Sequence, residues 1–172
     1  MGERILGIDP GLQRTGYAII ERTPRGPRLD EGGVVRSNPA DSLVDRVTEI
    51  ASGIEEILTE CRPDRVALEQ VFSHGRFPKT AILMSHARGA ILAAIGRSKT
   101  PLSHYTPTQV KRTLTGSGRA PKEQMQDAIM RELQLKAILE PHDVADAAAM
   151  ALCGYYDSAN EIALRPSHKS PT

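Results

Sequence analysis

Two short apolar runs in this 172-residue chain each end on an acid: Ile5-Leu6-Gly7-Ile8 on Asp9, and Val66-Ala67-Leu68 on Glu69. Uninterrupted runs of this length suit strands buried on both faces. Between them, Leu43, Val47, Ile50, Ile54, Ile57 and Leu58 recur at helical spacing. A strand reached through a helix usually lies parallel to its sheet partner by a right-handed crossover. If the two runs pair, Asp9 and Glu69 stand side by side at carboxyl ends, the edge where open α/β sheets hold ligands. Asp143 and Asp146, three apart at the start of an alanine-rich segment, share one helix face. Crossing the strand ends, that helix gathers four carboxylates. Such a cluster does not stay ionised beside itself without a cation. Hard oxygen donors favour Mg²⁺ or Mn²⁺.

The remaining elements follow from the same periodicities. Arg4–Asp9, Thr15–Arg22 and Leu29–Arg36 read as a three-strand meander, with Thr23-Pro24-Arg25-Gly26-Pro27 as its second turn. Asp41 or Ser42 caps the first helix, and Pro63-Asp64 ends it before a fourth strand at Arg65–Glu69. A long helix over Lys79–Arg97 and a fifth strand at Pro101–Tyr105 come next, then helices at Thr108–Leu114, Lys122–Leu135 and His142–Tyr156. The expectation is one α/β domain over residues 1–156, a five-stranded mixed sheet with helices on both faces in three layers. Residues 157–172, with two prolines and no periodic pattern, are expected to form a poorly ordered tail. Ala145, Ala147, Ala148 and Ala149 keep the last helix slim, so that it can approach the sheet closely.

Net charge is only +1, but it is unevenly divided. Residues 1–73 hold 9 Lys+Arg against 13 Asp+Glu, residues 74–136 hold 11 against 3, and residues 137–172 hold 2 against 5. A basic middle between two acidic flanks suits a polyanion held over a cation site. No apolar run reaches the length of a membrane span, and no signal peptide pattern opens the chain. Cys61 and Cys153 have no ligand-like spacing, so the cytosol is the expected compartment.

Gly7-Ile8-Asp9-Pro10-Gly11 with Thr15-Gly16-Tyr17, Glu69-Gln70-Val71-Phe72, Ala87-Arg88-Gly89, Gln109-Val110-Lys111 and Asp143-Val144-Ala145-Asp146-Ala147 together resemble the RuvC family. These are the bacterial Holliday-junction resolvases of the ribonuclease H-like superfamily. The motifs run in order over about residues 5–155. The first alone is shared with actin-like kinases, which need a second domain that 172 residues do not accommodate. The block around Glu69 together with the Asp-x-x-Asp helix is far more specific. The resemblance implies that Asp9, Glu69, Asp143 and Asp146 are the catalytic, metal-binding acids. It also implies a homodimer with two active sites that nicks opposed strands of a four-way DNA junction, with RuvA–RuvB as a partner complex. Two cations per site with substrate bound would activate a water and stabilise the departing 3′-oxygen. Asp9, at the centre of the sheet, is the candidate bridge. His142 is a candidate assistant to Asp143, or simply a residue at a helix start. The competing readings are a ribonuclease H-like nuclease acting on RNA or an RNA–DNA hybrid, and a catalytically inactive junction-binding module.

Phe72 and Phe77, the chain's two phenylalanines, sit in a loop-like, cationic segment with Arg76 and Lys79. Aromatic rings among cations suit base stacking, worth ~1–3 kcal/mol per base. By resemblance Phe72 is the wedge that stacks on an unpaired junction base, while Phe77 has no matched counterpart. The alternative is that both rings cap the nearby helix. Lys111 and Arg112 on a short helix, and Arg119 and Lys122 around Gly116-Ser117-Gly118, suit phosphate contact. By resemblance Lys111 and Lys122 serve junction binding or catalysis. Arg88, Arg97 and Lys99 are further candidates for tracking duplex arms, each with solvated surface charge as the alternative. Apolar and small residues run nearly all round the second half of the Lys79–Arg97 helix. Met84, Ala87, Ala90, Ile91 and Ala94 are therefore the expected dimer surface.

Overall fold

The computed structural model describes residues 2–70 and 78–164. The described residues form β1 (Arg4–Asp9), β2 (Arg14–Thr23), β3 (Gly26–Arg36), α1 (Leu43–Cys61), β4 (Arg65–Glu69), α2 (Pro78–Ser98), β5 (Leu102–Tyr105), α3 (Pro107–Thr115), α4 (Lys122–Glu132) and α5 (His142–Leu164). The sheet order is β3-β2-β1-β4-β5. Short turns join β1 to β2 and β2 to β3, and these pairs are antiparallel. Helical crossovers join β1–β3 to β4 and β4 to β5, and the pairs β1·β4 and β4·β5 are parallel.

Strand periodicity of two divides the core. Leu6, Ile8, Ile19, Val66 and Leu68 pack with Ile50 and Ile54 of α1 and with Ile91, Ala94 and Ile95 of α2. Ile5, Ala18, Ile20 and Ala67 face the other way, against α3, α4 and the alanines of α5. The three-layer α/β arrangement expected from the sequence is therefore present. Ser42 Oγ accepts from the Asp45 amide at 3.1 Å and so caps α1, and Thr106 with Gln109 forms a reciprocal capping box at α3.

α5 lies nearly on the backbone of the sheet. A Cβ built on Gly7 would stand 2.0 Å from the Ala147 carbonyl oxygen, and one on Gly16 would stand 2.0 Å from the Asp143 carbonyl oxygen. Only glycine fits at either place. Ala147, Ala148 and Ala151, all fully buried, are the matching small residues on the helix.

Three expectations need correction. α5 does not stop at Tyr156 but runs to Leu164, so the boundary between domain and tail at 156/157 is misplaced. Polar residues carry the extra turns: Tyr105 Oη donates to Asp157 at 2.6 Å, buried Ser158 bonds Glu3 at 2.7 Å, and Glu161 pairs with Arg65 at 3.1 Å. Arg22 adds to this anchor, stacking 3.9 Å from the Tyr155 ring centroid and donating to the Tyr155 carbonyl. Residues 165–172 lie outside the described part. α4 ends at Glu132 rather than Leu135, because Gln134 turns left-handed (φ 52°) and the Leu135 amide closes back on the Met130 carbonyl. Finally, Ala87, Ile91 and Ala94 are buried within this chain and cannot also face a partner. Met84 and Ala90 are half-buried, and the open face of α2 carries Ile82, Ser85, His86, Gly89, Ala93 and Gly96.

Candidate metal centre and nucleic-acid interface

The register of β1 against β4 pairs Ile8 with Leu68, so Asp9 and Glu69 close the two strands at the same edge. Alternation sends both carboxyls to the side of Ile5, Gly7 and Ala67, where α5 passes. Asp146 joins them there, and the three acids line a cavity of about 290 Å³ with Lys111, Lys122, Met125 and Met150. Thr15, fully buried, steadies the adjoining turn by donating to the Gly11 carbonyl at 2.8 Å.

Repulsion inside this cavity is severe. Burial pushes the Asp9 carboxyl up to about 9, with the charges of Glu69, Asp146 and Asp143 adding to the effect. The interaction between the neighbouring Asp9 and Glu69 carboxyls raises the first and lowers the second, so the two titrate as a pair. Glu69 is also raised, chiefly by burial, although the bond from Asp9 works the other way. Asp146 keeps an exposed face, yet partial burial of its carboxyl raises it, with Lys122 pulling it down and the charge of Asp143 adding to the rise.

Asp143 is placed differently. It packs on Gly16 at the head of α5, does not line the cavity, and pairs with Arg14 (Nη2 to Oδ2, 2.6 Å). Among the described residues no three His, Cys, Asp or Glu side chains are set as a finished cage for an ion. The donor set is nonetheless all carboxylate oxygen, and a divalent cation would favour the ionised form of Asp9 against the burial and the neighbouring charges that raise it. Asp9, Glu69 and Asp146 fit a hard cation in kind and location, with Asp143 close by but paired with Arg14.

The cations sort themselves by partner. Lys111 and Lys122 line the acidic cavity. Arg112, Arg119 and Lys79 are exposed, as is Lys99. Arg88 is occupied inside the molecule, its Nε donating to the Glu69 carbonyl at 3.1 Å and its Nη2 lying 3.0 Å from His104 Nδ1. It therefore braces the strand end that carries Glu69. Arg97 pairs with Glu55 across α1 and α2. His142 is exposed at the first position of α5. Phe72, Arg76 and Phe77 lie outside the described residues.

A family model described as crossover junction endodeoxyribonuclease RuvC matches residues 5–154. The chain belongs to the RuvC family. A RuvC of Rhodopirellula baltica is 51% identical over 160 residues, covering 92% of this chain and 89% of that one. One from Prochlorococcus marinus is 38% identical, covering 89% of this chain and 98% of its own. Thermus thermophilus RuvC, solved in complex with a Holliday junction substrate, superposes with a TM-score of 0.84 at 33% identity, covering 92% of this chain and 96% of that one. The sheet and its flanking helices thus have the ribonuclease H-like arrangement of the RuvC structures.

Sequence reasoning missed Arg14. One signal was available: Arg14 and Gly16 share a face of β2, and the β1·β2 register sets Gly16 opposite Asp9. Any long cation at position 14 of this hairpin points toward the acids.

Proposed function

We propose that this chain is a structure-selective DNA endonuclease that resolves Holliday junctions. The observation that carries the reading is the convergence of Asp9 and Glu69, at parallel strand ends, with Asp146 in one cavity that Lys111 and Lys122 also line. Acids that repel each other and lysines that attract phosphate, side by side, suit a polyanion whose phosphodiester is cut with metal assistance. Asp9, Glu69, Asp143 and Asp146 are the residues that would hold Mg²⁺ or Mn²⁺, two ions per site with substrate bound. Bound there, the cations supply an activated water and a sink for charge on the departing 3′-oxygen. The protein's own part is positional. Asp9 and Glu69 are fixed by adjacent strands and Asp146 by a helix that cannot slide, because Gly7 and Gly16 lock it to the sheet. Lys111 and Lys122 hold the backbone phosphates, and exposed Lys79, Arg112 and Arg119 extend the cationic surface. Phe72 remains the proposed wedge.

A homodimer acting on both strands is part of this proposal. Its support is the open face of α2, where Ile82 is 58% exposed and neither Gly89 nor Gly96 has any atom within 4 Å of where a Cβ would stand. Each mid-helix glycine costs about 1 kcal/mol relative to alanine, and the chain's own packing gives no return for it. A second copy approaching closely along this face does. Docking of a branch-migration complex of the RuvA–RuvB type rests on the family alone. Among the described residues no helix is long and apolar enough to cross a membrane.

The test is cleavage of a synthetic four-way junction, an RNA–DNA hybrid and a linear duplex in Mg²⁺ and in Mn²⁺, with product ends mapped. Paired nicks at symmetric positions on the junction are expected. Preference for the hybrid would move the chain to another ribonuclease H-like activity. Junction binding without metal-dependent turnover would make it a binding module.

A further inference from the structure

The Arg14–Asp143 pair has no part in the account so far. Resting on the metal reading above, we infer that Arg14 is a displaceable latch that holds Asp143 out of the metal cluster until DNA arrives. Arg14 is thereby a positioning residue that couples substrate binding to completion of the site.

Three observations carry this. Asp143 is excluded from the cavity that Asp9, Glu69 and Asp146 line, although it lies on the same helix face as Asp146. Its carboxylate lies against the guanidinium, Oδ2 at 2.6 Å from Nη2. Arg14 Nε is buried and has no hydrogen-bond partner among the described residues. An arginine normally grips a carboxylate or phosphate with two parallel donors. With Nε unpartnered, this guanidinium has donor capacity that its place beside Asp143 leaves unused.

The pair is also accessible. Side-chain exposures of 36% for Arg14 and 25% for Asp143 leave both reachable from solvent. Ion pairs so exposed contribute little net stability and exchange readily. A DNA phosphate at the cavity rim would accept from the guanidinium with two oxygens and take up the donor that is unused beside Asp143. When Arg14 turns to that phosphate, Asp143 loses its counter-ion beside three other acids. A side-chain rotation then carries it to the cations that those acids hold. Without DNA, Arg14 competes with the cation for Asp143 and weakens metal binding. The arrangement discourages a fully loaded nuclease centre in the absence of substrate.

The experiment measures metal affinity directly, apart from turnover. Mn²⁺ is titrated into the free, full-length protein and followed by electron paramagnetic resonance, for wild type, Arg14→Gln and Arg14→Lys. Arg14→Gln is expected to bind Mn²⁺ about 3–10-fold more tightly, because a competing positive charge is gone. Arg14→Lys, which keeps the charge, should stay near wild type. In a second arm, junction affinity is measured by fluorescence anisotropy with and without Ca²⁺. By reciprocity, the factor by which Ca²⁺ strengthens junction binding equals the factor by which the junction strengthens Ca²⁺ binding. That factor should be large in wild type and reduced in both variants, since neither side chain can pass Asp143 to the metal while gripping phosphate with two donors. Unchanged or weaker Mn²⁺ binding by Arg14→Gln, or an undiminished Ca²⁺ factor in the variants, would overturn the latch. Failure of wild type to bind Mn²⁺ at all would overturn the metal reading as well, and so separates the two.

Discussion

At the scale of single residues, burial and neighbouring acids favour the protonated form of Asp9 where a cation is expected to bind. Asp9 ordinarily titrates near 3.8 and is raised to about 9 by burial and then by its acidic neighbours. Between those values the metal-free native state holds a proton that the unfolded chain has released. Stability without metal therefore falls as pH rises from about 4 toward about 9, by up to ~1.4 kcal/mol per pH unit. Glu69 and Asp146, both raised, push in the same direction. In EDTA, the wild-type Tm should decline across this window, while Asp9→Asn should show a flatter profile and a higher Tm at neutral pH. Saturating Mg²⁺ should raise and flatten the wild-type curve and leave the variant largely unchanged. Thermal unfolding from pH 5 to 9 checks this, and an Asp9→Asn profile as steep as wild type would contradict it. The convergence of Asp9, Glu69 and Asp146 was legible in the sequence because each strand acid terminates a run that has to be buried and Asp146 opens the alanine-rich helix that crosses them, whereas Asp143 stands apart beside Arg14. Arg14 was not, because its importance depends on which side of a hairpin it occupies and on the distance to a helix 129 residues later.

At the scale of elements, the site depends on how closely α5 lies on β1 and β2. The alanines announced a slim helix, and Gly7 and Gly16 show what the slimness is for. Gly7→Ala would put a methyl carbon 2.0 Å from the Ala147 carbonyl oxygen. The helix must lift, at a cost of ~1–3 kcal/mol or somewhat more. Because Asp146 rides on that helix, metal affinity should fall together with Tm. A Gly7→Ala protein with lowered Tm but unaltered metal affinity would show that helix height and site geometry are independent. Strand positions were readable from alternation and helix α1 from its spacing. The far end of α5 was not readable, because Asp157, Ser158 and Glu161 look like a solvated tail until Tyr105, Glu3 and Arg65 are folded up beside them. Helical spacing also marked α2 as apolar nearly all round, but not which side the sheet would take. Ala87, Ile91 and Ala94 went to the core, and Gly89, Ala93 and Gly96 were left outside.

At the scale of the whole molecule, the proposed homodimer would bring together two centres, one from each chain. The open face of α2 is the proposed contact. Gly89→Arg meets no neighbouring atom within the chain and removes a helix-interior glycine, so the folded protomer should be at least as stable as wild type. Sedimentation should show a dimer for wild type and a monomer for this variant. A variant that stays dimeric would move the contact elsewhere. The central claim, that the acids gathered by β1, β4 and α5 form the metal centre of a junction-cutting nuclease, is tested most directly by one substitution. Asp9→Asn and wild type are compared for cleavage of a four-way junction in saturating Mg²⁺, with junction binding measured on the same samples. Cleavage should be abolished in the variant while binding remains within about threefold of wild type. Full-rate cleavage by Asp9→Asn would contradict the account.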